Sequence, residues 1–127
     1  IHTPHPRDYK VKMPLKMRRA ALCSALSARA SESAVMVVDN FDIAEPKTKI
    51  LRQTIENLTG KKSALVIVHE KDSKINLIVS AKNLKNIKIL LAPYLNIRDL
   101  LSFDQLIIDE SSIKMIENHL IRNKVKK

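Results

Sequence analysis

Apolar positions in this chain fall into short tracts that switch between two periods. Val35-Met36-Val37-Val38, Leu65-Val66-Ile67-Val68, Ile87 to Leu91 and Leu106-Ile107-Ile108 are near-continuous apolar runs, the pattern of strands covered on both faces. Between them the apolar residues recur at three- and four-residue spacing. Pro14 has the torsion and missing donor that suit a first helical turn, and no breaker follows before Ala30. That helix places Leu15, Leu22 and Leu26 on one stripe, for a core, and Ala20, Ser24 and Ser27 on the opposite one. After the Glu45-Pro46 step, Leu51, Ile55 and Leu58 predict a helix closed by Gly60. Residues 74–84 fit two templates: Ile75, Leu77 and Val79 alternate like a strand, whereas Ile75, Ile78, Val79 and Lys82 share a helical face. A helix is the reading adopted, because two parallel strands need a crossover between them. A short helix spans Asn96 to Ser102, and Ser111 or Ser112 caps a last helix with Ile113, Ile116 and Leu120 inward.

A helix followed by four strand-helix units predicts an α/β fold: three layers, α/β/α, with a mostly parallel sheet of about four strands. The expected organisation is an extended basic arm over 1–14, where Pro4, Pro6 and Pro14 disfavour regular structure, and a single α/β domain over 15–127 ending in a basic tail. At 127 residues the chain is long enough to bury a core of its own.

Charge changes the picture, because it is unevenly placed. Residues 1–30 hold seven Lys and Arg against one acid, residues 118–127 hold four against none, and residues 31–117 hold twelve against twelve. The net charge of +10 therefore resides in two segments flanking a neutral body, the electrostatic footprint of a polyanionic partner. Gly60 is the one glycine, so neither a dinucleotide fingerprint nor a phosphate loop can be built. Cys23 is the one cysteine, which rules out an internal disulfide and a cysteine-cluster zinc site; its Ala-, Leu- and Ser-rich surroundings predict a small buried side chain. Tyr9, Phe41, Tyr94 and Phe103 are too scattered for a multi-base stacking platform, so the backbone and shape of a nucleic acid are the expected targets. No apolar run approaches the ~20 residues of a membrane span.

Two function classes follow. In the first, Arg7, Lys10, Lys12, Lys16, Arg18, Arg19 and Arg29 neutralise RNA phosphates, and Ser24 and Ser27, on the small-residue stripe, let a backbone come close and bond its phosphate oxygens. The second is a metal-dependent phosphoesterase or nuclease. In open parallel sheets ligands sit beyond the carboxyl ends of the strands, and Asp39, His69, Glu70, Asp109 and Glu110 fall there. Carboxylates are also routine in turns after strands, however, and no spaced ligand motif accompanies these. The first reading is preferred: no catalytic residue, no metal site, no cofactor, no membrane and no small-molecule substrate.

Four runs resemble a known family. RDYKVKMPLKMRRAALCSALSARA (Arg7 to Ala30), VVDNFDIAEPKTK (Val37 to Lys49), VSAKNLKNIKIL (Val79 to Leu90) and LNIRDLLSFDQLIID (Leu95 to Asp109) are similar, in order, to the universal fourth protein of the large ribosomal subunit, bacterial or organellar type. The resemblance implies a non-enzymatic constituent of the large subunit whose α/β domain sits on large-subunit rRNA beside neighbouring ribosomal proteins, with its place in a bacterial or an organellar ribosome. It carries Arg7, Lys16, Arg18 and Arg19, then Lys47 and Lys49, then Lys82 and Asn83, over as rRNA contacts. Lys85 stands where proline is common and adds a cation; Cys23 stands where a basic residue is usual. The basic tail contributes Lys124, Lys126 and Lys127. The family's long loop toward the peptide exit tunnel has no counterpart here, so no tunnel role is carried over, and Ile1 is expected to be a mid-chain residue.

Overall fold

Each apolar tract forms a strand, and the helices between them force the strands to run the same way. The computed structural model describes residues 2–61 and 63–121. Strands β1 (Val35–Val38), β2 (Ala64–Val68), β3 (Ile87–Leu91) and β4 (Gln105–Asp109) pair in the order β1-β4-β2-β3, all parallel. β4, last in the chain, is inserted between β1 and β2, with Val35 opposite Leu106 and Leu65 opposite Leu106 from the other side.

Because successive side chains on a strand point to opposite faces, β2 feeds two cores at once. Ala64, Val66 and Val68 join Leu51 and Ile55 of α2 (Thr48–Thr59) and Leu77 and Ala81 of α3 (Ile75–Ala81). Leu65 and Ile67 join Leu22 and Ala25 of α1 (Leu15–Ser31), Leu100 of α4 (Ile97–Ser102) and Ile116 of α5 (Glu110–Ile121). The result is the expected three-layer α/β/α arrangement with a four-stranded, wholly parallel sheet.

Several sequence expectations are corrected in detail. Leu15 does not join the core stripe: it is 53% exposed, because the first turn of α1 projects past the layer on which Leu22 and Ala25 pack. Cys23 is exposed, not buried; it lies next to Leu22 on the helix but turns away from α4 and α5. Leu58 is also largely exposed, one turn beyond the part of α2 that the sheet covers. Residues 75–81 are helical, yet the buried face is Leu77, Ser80 and Ala81, while Ile75 and Val79 point outward. A 3-10 turn over Asp72–Lys74 leads straight into α3 and sets the rotation with which it meets the sheet. Ser80 tolerates this burial because its hydroxyl donates to the Asn76 carbonyl at 2.7 Å. Neither Ser111 nor Ser112 caps the last helix. β4 runs into α5 at Glu110 without a loop, and the fully buried Ser112 donates instead to the Ile67 carbonyl of β2 at 3.4 Å.

Candidate nucleic-acid interface

Residues 2–14 form neither helix nor strand and are exposed throughout. The arm is nonetheless tied to the helix it leads into. Pro14 precedes the first helical residue, its carbonyl accepts from the Arg18 amide at 3.1 Å, and the Arg18 guanidinium donates through Nε to the Met13 carbonyl at 3.3 Å. Val11, Lys12, Met13, Pro14 and Arg18 together line an open groove at this junction. No acidic residue lies in the first turn of α1, whereas Lys16 and Arg18 are exposed there and Arg19 is half-buried. Cations beside the positive end of a helix dipole are mutually unfavourable, so this corner gains from an anion. Ser24 and Ser27 are exposed, as expected. The Ser24 hydroxyl donates to the Ala20 carbonyl at 2.9 Å, leaving its oxygen free to accept.

Arg29 has a different task. Its Nε and Nη2 donate to the carbonyls of Leu100 and Leu101 at 2.8 and 2.7 Å, and Nη1 pairs with Glu32 at 3.0 Å. It satisfies the carboxyl end of α4 and clamps that helix to α1. No local pattern marks Arg29 for this role, since the two carbonyls it holds are some seventy positions away.

The remaining predicted positions divide between the two ends of the sheet. Lys47, paired with Glu45 at 2.5 Å, and Lys49, exposed, stand at the start of α2 beyond the carboxyl end of β1. Lys82, Asn83 and Lys85 are exposed in the connection that enters the amino end of β3. Lys82 and Lys85 line one groove together with Lys88 of β3, and Lys88 shares the adjoining one with Arg98 of α4. Arg98 extends this cationic edge, while Lys88 is ion-paired there with Asp99 at 2.8 Å; neither stands out in the sequence, because a lone Lys in an apolar strand and a lone Arg in a short helix form no charge run. Lys124, Lys126 and Lys127 lie outside the described residues.

The family model for the ribosomal protein L4/L1 family matches residues 1–119. The chain belongs to this family. It is a family of structural constituents of the large ribosomal subunit in translation, not of enzymes, and its members' partners are rRNA and ribosomal proteins. The ribosome is therefore where this L4/L1-family chain resides.

The acidic end of the sheet accords with that membership. Asp39, His69 and Glu110 do line a common groove with Lys114, but Glu70 is exposed and lies beside His69 at 3.8 Å, and Asp109 is 97% buried and points elsewhere. Its Oδ2 accepts from the Ser111 hydroxyl at 3.1 Å and lies 4.0 Å from Nζ of the buried Lys74. Lys74 also donates to Asn40 Oδ1 and, at 3.0 Å, to the Phe41 carbonyl. This internal network ties the loop after β1 to α3 and β4. Among the described residues no three His, Cys, Asp or Glu side chains are grouped to hold a metal, and the phosphoesterase alternative finds no support. No described helix is long and apolar enough to cross a membrane.

Proposed function

We propose that this chain binds and stabilises folded large-subunit rRNA through its basic arm (1–14), the exposed face of α1 and the cations at both ends of its sheet, with the α/β body from α1 to α5 as the rigid frame that fixes their spacing. The observation that carries the reading is the division of labour among the charges. Cations needed internally, Arg29 and Lys74, are hydrogen-bonded or buried, while Arg7, Lys10, Lys12, Lys16, Arg18, Lys49, Lys82 and Lys85 are held out on the surface. Arg19 is half-buried, and its Nε is buried without a hydrogen-bond partner among the described residues. Phosphate neutralisation then supplies affinity, and the fit of a rigid body to folded RNA supplies the choice of site. The basic tail, Lys124, Lys126 and Lys127, adds charge at the other end of the chain. Ser24, Ser27 and Asn83 contribute hydrogen bonds to phosphate or sugar.

The test is the salt dependence of binding to a large-subunit rRNA transcript. With six to eight phosphates engaged, log Kobs against log[salt] should fall with a slope of roughly −5 to −7, at about −0.9 per contact. A slope near zero would refute the proposal.

A further inference from the structure

Tyr9 is the one Phe, Tyr or Trp side chain of the arm and is 74% exposed. The Arg7 guanidinium lies over its ring, 4.8 Å from the centroid, within the range of a cation–π contact. Arg7 and Tyr9 thus stack against each other on the arm, with Lys10 and Lys12 exposed close by in the chain. The Lys10 amide donates to Asp8 Oδ1 at 3.0 Å, a local bond that shapes the backbone between them. An exposed tyrosine with one face backed by a guanidinium presents its second face as a flat, electron-rich platform. Bulged or looped RNA bases stack on such aromatic rings and on arginine planes. The neighbouring lysines are placed for the phosphates on either side of such a nucleotide.

We propose that Tyr9, backed by Arg7, is a stacking site for a single unpaired nucleobase of rRNA. The inference rests on the rRNA-binding reading above and adds to it a base contact where charge alone supplies only phosphate contacts. Stacking tolerates any base, because every base has a π-face. The site therefore selects an unstacked nucleotide at a given place in the folded RNA rather than a sequence. The hydroxyl of Tyr9 is not needed, and removal of the ring is what abolishes the contact.

The experiment compares the full chain with its Tyr9→Phe and Tyr9→Leu variants for binding to a large-subunit rRNA transcript over a range of salt. Tyr9 is exposed and far from either core, so both variants should fold, as circular dichroism would verify. Tyr9→Phe should bind within about twofold of the unsubstituted chain. Tyr9→Leu should bind roughly 5- to 150-fold more weakly, the range for loss of one base-aromatic stack, with its salt slope unchanged because no phosphate contact is lost. Full affinity in Tyr9→Leu, equal weakening in both variants, or a shallower slope in Tyr9→Leu would each overturn the stacking site. Failure of the underlying rRNA reading looks different, since the unsubstituted chain would then show no salt-dependent binding at all.

Discussion

Leu22 and Lys16 lie six residues apart on α1 and meet different surroundings: Leu22 is 7% exposed against α4 and α5, and Lys16 stands in solvent at the first turn. Leu22→Ala should cost about 2–5 kcal/mol of stability, as for other buried leucines, read as a lower midpoint in urea. Lys16→Glu should do the reverse of a damaging change for the fold. An acid in the first turn complements the helix dipole and stabilises by about 0.3–1 kcal/mol, yet it places a negative charge where rRNA phosphate is expected and should weaken binding several-fold. Stability and affinity moving in opposite directions in one variant would separate the two roles of the helix. Lys74 makes the complementary case. Lys74→Met leaves the buried Asp109 carboxylate without its cation and should cost about 3–5 kcal/mol, although Lys74 touches no surface at which RNA could arrive.

Among the elements, α4 has six residues and depends on its first turn. Asn96 Oδ1 accepts from the Asp99 amide at 2.8 Å, while the Asn96 amide and Lys88 Nζ each donate to Asp99 Oδ2 at 2.8 Å. Burial raises the Asp99 pKa, but the hydrogen bonds from Lys88 and Asn96 and the charges of Lys88 and Arg98 outweigh it, so the carboxyl lies below its ordinary value. A carboxyl whose pKa is depressed on folding contributes stability above its unfolded pKa, near 4. That contribution fades as pH falls through the folded value. Asp99→Asn should therefore lower the melting temperature at neutral pH, with the gap to the unsubstituted chain closing below about pH 4. The end of α2 offers a second element-scale test. Gly60 closes that helix with φ of 66° and donates its amide to the Glu56 carbonyl, and a Cβ there meets no atom within 4 Å. Gly60→Ala should thus cost about 1–2 kcal/mol through left-handed backbone strain alone, with no clash to relieve.

For the whole molecule, the parallel sheet acts as a spacer between two pairs of lysines. Lys47 and Lys49 lie past the carboxyl end of β1, and Lys82 and Lys85 lie ahead of the amino end of β3. Because the two pairs share no partner, their effects on rRNA binding should add. Lys47→Ala with Lys49→Ala should make the salt slope shallower by about 2, Lys82→Ala with Lys85→Ala by about 2, and the fourfold variant by about 4. Strong non-additivity in filter binding would mean that the two ends do not grip the RNA independently.

The strands, the helices between them and the parallel sheet were legible in the sequence, because period-2 and period-3.6 patterning is a local property and parallel pairing follows from the helical crossovers. The charge asymmetry and the family-like runs were equally visible, and they led to the family that the chain belongs to. The tertiary structure alone decided which face of each helix went inward. Ile75, Ile78 and Val79 formed as good an apolar stripe as Leu77, Ser80 and Ala81, and the choice between them was made by the turn feeding α3 into the sheet. It decided, too, where coverage ends, leaving Leu15, Cys23 and Leu58 outside. The insertion of β4 between β1 and β2 likewise has no local signal. Finally, Arg29 and Lys74 resemble every other cation in the sequence. Only the distant carbonyls and the carboxylate brought to them by folding set them apart from the surface charges, because a hydrogen bond between residues thirty or seventy positions apart leaves no trace in the pattern around either.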